Sequence, residues 1–238
     1  MNLGKMRSET ETFDEWIYDQ VFCAVLEQRL IPGAKLKESD LCDVFGVSRT
    51  IIRRILLRLS LDKVVELRPN KGAVIATPAA EDVRQIFAAR RLLEIGIIGD
   101  ACRHCGTDDA NALKDIVGRE NAAILSGDRS GAIRLAGEFH LRLAEVAGNR
   151  PIHDLLRQLV AQSSLALALY EAPGHLLCVD DDHIDIVTSV AAGNVKKSRE
   201  LMARHLDKAE AEMKLDRPEN ANDLKSVFAD IIDTRASV

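Results

Sequence analysis

The sequence predicts a mainly α fold in two parts: a short N-terminal module of three helices closed by a β-hairpin, and a C-terminal all-α bundle of six or seven helices. Three observations lead there. Hydrophobic residues make up 47% of the 238-residue chain but aromatics only 4%, so Leu, Ile, Val and Ala must fill the cores, which suits packed helices. Apolar residues recur with helical spacing along most of the chain, and the period shortens to two only between about residues 64 and 76. Charge is uneven as well. The chain carries −5, yet between Gly46 and Gly72 seven Lys or Arg (49, 53, 54, 58, 63, 68, 71) face two acids (62, 66), a net +5. A basic module within an acidic chain points to a polyanionic partner held by one part alone.

The first helix starts at Thr12-Phe13-Asp14-Glu15, a Thr-x-x-Glu capping box, and carries Phe13, Ile17, Val21 and Val25 on one face. It ends before Pro32-Gly33. A short second helix over about Glu38 to Phe45 meets a turn at Gly46, and a third spans about Ser48 to Asp62 with Ser48 as its N-cap. Ile52, Leu56 and Leu59 give this third helix an apolar stripe, while Arg49 and Arg53, four apart, share another face. A guanidinium can pair with both major-groove acceptors of guanine, and the hydroxyls of Ser48 and Thr50 suit phosphate oxygens. Val64–Arg68 and Ala73–Ala76, joined through Pro69-Asn70-Lys71-Gly72, read as a hairpin with a basic tip. Residues 10–76 therefore read as a winged helix-turn-helix that binds double-stranded DNA. The plainer alternative, a solvated cationic helix face, leaves the turn, cap and hairpin unexplained.

Residues 77–80, Thr77-Pro78-Ala79-Ala80, form the expected linker. From 81 to 215 the pattern stays helical, with breaks near Gly106, Gly127, Gly148-Asn149-Arg150-Pro151, Ala172-Pro173-Gly174 and Gly193-Asn194 that delimit six helices of about 13 to 25 residues. Residues 216–238 begin polar and then regain Leu224, Val227, Phe228, Ile231 and Ile232, which allows a terminal helix. The polar start of the chain and the absence of a long apolar run argue against secretion or a membrane span and for a cytoplasmic protein. Five cysteines (23, 42, 102, 105, 178) without framework spacing suit free thiols. Cys102-Arg103-His104-Cys105 is nominally a CxxC, but it lacks a second pair and sits in a helical pattern.

Three histidines fall on apolar helix faces. His140 sits with Ile133, Ala136, Leu143 and Ala147; His183 with Val179, Ile186, Val187 and Val190; His205 with Leu201 and Ala209. Buried imidazoles need partners, and two readings remain open from spacing alone. They are separate hydrogen-bonded core residues, or they share a divalent metal.

Over about residues 15 to 210 the chain resembles the GntR family of transcriptional regulators, in the FadR-like branch whose all-helical effector domain is called FCD. The resemblance rests on Ile31-Pro32-Gly33-Ala34-Lys35-Leu36-Lys37-Glu38, Leu41, Gly46-Val47-Ser48-Arg49-Thr50 with Arg53, Leu56 and Leu59, and Pro69-Asn70-Lys71-Gly72-Ala73. Two departures stand out: Ile51-Ile52 where the family commonly has Pro-Val, and Arg54 where it has Glu, an added cation that bears on operator preference. The resemblance implies DNA contacts by Ser48, Arg49, Thr50 and Arg53, with the wing at Asn70, Lys71 and Gly72. It also implies metal ligands at His140, His183 and His205, zinc first, with nickel or manganese as alternatives. The family's Asp four residues before the first of these histidines is Ala136 here, which leaves a position for water or an effector carboxylate. Arg90 matches an arginine that faces the family's effector pocket, and Asn149, in a Gly-Asn turn, is an effector-contact candidate that also reads as a helix-end residue. The implied function is a ligand-responsive repressor that binds its operator as a homodimer and answers a small organic acid. Two alternatives stand beside it: the same regulator with a metal-free apolar pocket for a fatty or acyl ligand, and a metalloenzyme fused to a DNA-binding module. The enzyme reading lacks a His-Glu-x-x-His helix, a Gly-rich phosphate loop and a nucleophile elbow.

Overall fold

Gly46, at φ 66°, is the pivot of the N-terminal module in the computed structural model, which describes residues 13–68, 72–170 and 182–215. A left-handed backbone there favours glycine, and it turns the chain from α2 (Glu38–Phe45) into α3 (Arg49–Leu61). Before them come α1 (Phe13–Leu26) and a two-residue strand β1 (Lys35–Leu36); after them, β2 (Val65–Arg68) and β3 (Gly72–Ile75). The hairpin is expected from sequence, but β1 is not. It pairs with β3 through Lys35 opposite Val74 and Leu36 opposite Ala73, giving an antiparallel sheet of order β1-β3-β2.

Helix α1 begins with Asp14 and Glu15 in its first turn, where acidic side chains favour the helix dipole. Thr12 of the expected capping box lies outside the described residues. Ile17, Val21 and Val25 are buried as expected, but Phe13 is 40% exposed and stacks on Trp16 at the surface. Its position before the first full turn leaves it beyond the buried stripe.

Six helices follow among the described residues: α4 (Ala80–His104), α5 (Thr107–Ser126), α6 (Arg129–Ala147), α7 (Arg150–Tyr170), α8 (Asp182–Ala191) and α9 (Val195–Ala211). At 10 residues α8 is shorter than the expected minimum, while the expected terminal helix in 216–238 falls outside the described residues. Side-chain oxygens of Asp128 and Asn194 accept backbone N–H groups at the starts of α6 and α9, fixing these helices at their breaks. None of the described helices is long and apolar enough to cross a membrane.

The two modules share a buried surface. One apolar cluster runs from Ile17 and Leu59 of the winged module to Phe139, Leu165 and Leu206 of the bundle, because α1 packs against α6 and α7 as well as α3. Burying side chains of this size contributes roughly 1.5–3 kcal/mol each, so the winged module is anchored to the bundle as well as tethered by its linker.

Candidate DNA-reading face and metal centre

The outer face of α3 carries the cations. Ser48 has the extended backbone of an N-cap, but its side chain makes no capping hydrogen bond to the helix, and Ser48, Arg49, Thr50 and Arg53 are all exposed. Arg53 Nε donates to both carboxylate oxygens of Glu38 at 2.9 and 3.0 Å, a hydrogen bond that holds the Glu38 carboxyl below its ordinary range. Arg54 behaves differently. It pairs with Asp14 on α1, so the cation that departs from the family pattern ties two helices of the module together. On the hairpin, Gly72 is exposed at φ 80° and pairs with Arg68, while Asn70 and Lys71 lie outside the described residues.

His140 on α6, His183 on α8 and His205 on α9 converge in the bundle and are buried at 5%, 6% and 4% exposure. His205 Nε2 lies 3.1 Å from His183 Nε2 and 3.3 Å from His140 Nε2. Each opposite ring nitrogen faces an acid. His183 Nδ1 donates to Glu120 Oε2 at 2.8 Å, His140 Nδ1 lies 2.5 Å from Glu94 Oε2, and His205 Nδ1 lies 3.9 Å from Asp182 Oδ2. An ionised carboxylate can only accept, which places the ring protons of His183 and His140 on Nδ1 and turns their Nε2 lone pairs toward His205 Nε2. A proton on His205 Nε2 satisfies only one of these two lone pairs at a time, whereas a cation among the three nitrogens satisfies all of them, and imidazoles oriented by carboxylates are the usual arrangement of metal ligands. Burial pushes His140 down to about 4 against the pull of Glu94, and burial followed by the charge of His183 pushes His205 down to about 3. Both are neutral at pH 7, the form that binds metal. The donor set therefore fits a divalent ion. Among the described residues, this is the one group of three or more His, Cys, Asp or Glu whose ligand atoms gather closely enough to hold one.

Beside the histidines is a cavity of about 70 Å³ whose wall includes Ala136, Arg90, Glu120, Ser163 and Leu26. Arg90 is buried; its Nε donates to Glu94 at 2.7 Å and its Nη1 to Ser163 Oγ at 3.2 Å, while Nη2 is buried without a hydrogen-bond partner. Asn149 is elsewhere. Its Oδ1 accepts from Ile152 N at 3.2 Å as a cap for α7, and it does not line the histidine cavity. The thiols of Cys102 and Cys105 turn to different partners, Ser198 Oγ and the Gly106 carbonyl.

Sequence reasoning missed Glu94, Glu120 and Asp182. Glu120 had a readable signal, because it continues the apolar stripe of Leu113, Ile116 and Val117 on α5, where a lone acid demands a partner. Glu94 stands four residues after Arg90 on one helix face, a spacing that foretells their ion pair.

A winged helix-turn-helix with an exposed cationic helix, packed on a helical bundle that encloses a cavity lined by three histidines, defines a DNA-binding regulator with an effector-binding domain. Residues 14–75 match the family described as bacterial regulatory proteins, gntR family, and residues 85–208 match the FCD domain. The chain belongs to the GntR family of transcriptional regulators, in its FCD-domain branch. It is 28% identical over 201 residues to the Uxu operon regulator of Haemophilus influenzae, covering 76% of this chain and 74% of that one. It is 27% identical over 206 residues to the HTH-type transcriptional regulator LutR of Bacillus subtilis, covering 76% and 92%. Among solved structures, E. coli McbR/YncC superposes with a TM-score of 0.77 at 17% identity over 85% of this chain and 97% of that one, a likeness of fold. These domains and relatives are transcriptional regulators, not enzymes.

Proposed function

We propose that the protein is a metal-dependent repressor that binds a pseudo-palindromic operator as a homodimer and releases it when a small organic acid enters the histidine cavity. Arg49 and Arg53 read bases, Ser48 and Thr50 hold phosphates, and the wing at Asn70, Lys71 and Gly72 lies along the backbone or minor groove. A single recognition helix reads few base pairs, and a twofold pair reaches a longer site.

The observation that carries the metal is the convergence of three Nε2 atoms, each on a ring whose Nδ1 faces an acid. His140, His183 and His205 would hold the ion, zinc by preference for three imidazoles, with nickel or manganese as the other outcomes of metal analysis. When bound, it supplies a Lewis-acidic position for an oxygen of the effector. With Ala136 in the cavity wall where the family has an acid, that position stays open on the cavity side. The unpartnered Arg90 Nη2 gives the second anchor, since a buried guanidinium edge gains most from a carboxylate.

The test is metal analysis of protein purified without an affinity tag, beside the His183→Ala, His205→Ala double variant. Stoichiometric metal in the first and little in the second supports the reading; equal, negligible metal in both sinks it. A screen of small mono- and dicarboxylates for release of the selected operator then identifies the effector class.

A further inference from the structure

Three consecutive residues of α7 touch three different parts of the molecule. Successive helical residues point about 100° apart, so a run of three can bridge separate neighbours. Gln162 Nε2 donates to the carbonyl of Asp62, the residue that ends the recognition helix α3, at 3.2 Å. Arg90 of the cavity donates to Ser163 Oγ at 3.2 Å. Ser164 Oγ donates to the carbonyl of Leu26, the last residue of α1, at 3.0 Å, and Gln28 Nε2 returns a hydrogen bond to the Ser164 carbonyl at 3.3 Å.

Leu26 also reaches the cavity itself. It belongs to the DNA-binding module, yet it is 6% exposed and forms part of the cavity wall with the three histidines. Leu26 Cδ2 reaches Gly137 on α6 at ordinary contact distance, 4.0 Å from where a Cβ would stand, while the close approach at Gly137 is that of Val160 at 3.1 Å. Most of the remaining wall comes from long helices of the bundle packed against one another. Leu26 is the wall residue contributed by the part that must change its placement on DNA. Room for only a few water-sized molecules means that any organic effector displaces a wall.

We propose that the winged module senses the cavity directly: Leu26 is an effector-contacting residue, and Ser163-Ser164 on α7 couples its displacement to the ends of α1 and α3. This rests on the reading that the histidine cavity is the metal and effector site. An effector that pushes Leu26 or draws Arg90 from Ser163 strains the Ser164–Leu26 bond. The module then shifts relative to the bundle, with a differential affinity that both ligands must share.

The experiment uses full-length protein, zinc as the probe, and an operator duplex isolated by selection from random-sequence DNA. Zinc affinity is measured by chelator competition with and without the duplex, and operator affinity with and without zinc. Wild type is expected to show the same coupling factor in both directions, on the order of 5-fold or more. Coupling is a ratio within one variant, so a change in either affinity alone leaves it untouched. Ser164→Ala and Leu26→Val are expected to reduce it to about 2-fold or less, and Ser164→Thr, which keeps the hydroxyl, to restore it. Undiminished coupling in Ser164→Ala and Leu26→Val, or no coupling in wild type that binds both ligands, overturns the proposal. If wild type takes up no more zinc than the His183→Ala, His205→Ala variant, the metal reading alone falls. The route is then read from hydrogen exchange of the Leu26–Leu30 amides in Arg90→Ala: a changed rate there sustains it, and unchanged exchange overturns it.

Discussion

Arg49, Arg53 and Arg54 lie within six positions of one helix, yet their surroundings give them different work. Arg53 spends its Nε on Glu38, which leaves the two terminal nitrogens of the guanidinium to meet a base edge. Alanine at Arg49 or Arg53 is expected to cost about 1–3 kcal/mol of operator affinity and to relax base preference in a selection experiment. Arg54 is held by Asp14, so Arg54→Ala should leave the selected sequence unchanged; a new base preference would return it to the reading face. Tyr18 offers a second test at this scale. Its hydroxyl donates to Asp62, and burial first, then that hydrogen bond, raise its ionisation above the ordinary value of 10.0. A folded-state value above the unfolded one means stability that is complete below pH 10 and lost as pH rises toward the folded value. Tyr18→Phe should lose about 1–3 kcal/mol at neutral pH by leaving the Asp62 carboxylate without this donor, and should flatten the alkaline limb of a denaturation series. A limb as steep as wild type would assign it to another group.

At the scale of elements, the contact between α6 and α7 depends on Gly137. Gly137→Ala gains about 1 kcal/mol of helix propensity but drives a methyl to 3.1 Å from Val160, whose β-branched side chain has one favoured rotamer in a helix. Overpacking costs about 1–3 kcal/mol, so a net loss near 1 kcal/mol is expected in urea unfolding, and a gain would show slack between the helices. For the wing, Lys71→Ala should weaken binding to all duplexes alike and lower the salt slope by about 1. How far these elements could be read beforehand follows from their physics. Helices α2 to α7 and α9 were legible because each is long or bracketed by Gly, Asp or Asn at its ends. Strand β1 was not, since Lys35 and Leu36 alone carry no alternation and gain their partners only when β3 arrives. The three histidines were legible as inward-facing residues of separate helices. Their convergence was expected from the family resemblance and left open by spacing alone, because it depends on how α6, α8 and α9 pack; Leu26 was not legible, since it enters the cavity only through the docking of α1 on α7.

For the whole molecule, the decisive question is whether the histidine cluster stabilises the fold by itself or only with an ion. Without a cation, a proton on His205 Nε2 can satisfy only one of the two Nε2 atoms that lie 3.1 and 3.3 Å away, and the other buried lone pair is left facing nitrogen. A bound ion satisfies all three nitrogens and ties α6, α8 and α9 together, and because the unfolded chain has no such site, its binding free energy adds to stability. Free zinc at 100 times its dissociation constant would contribute about 2.7 kcal/mol. For a chain of this length that corresponds to a rise in Tm of roughly 5–10 °C, seen by calorimetry on adding zinc to chelator-treated protein. The His183→Ala, His205→Ala variant should show no such rise, since one imidazole cannot hold the ion. If the histidines were separate core residues, chelation would leave Tm where it was. Removing two of them would then only open cavities, and zinc would make no difference to wild type or variant. The sign of the zinc response in wild type, set against its loss in the variant, thus separates a metal-braced regulator from one whose histidines merely fill the core.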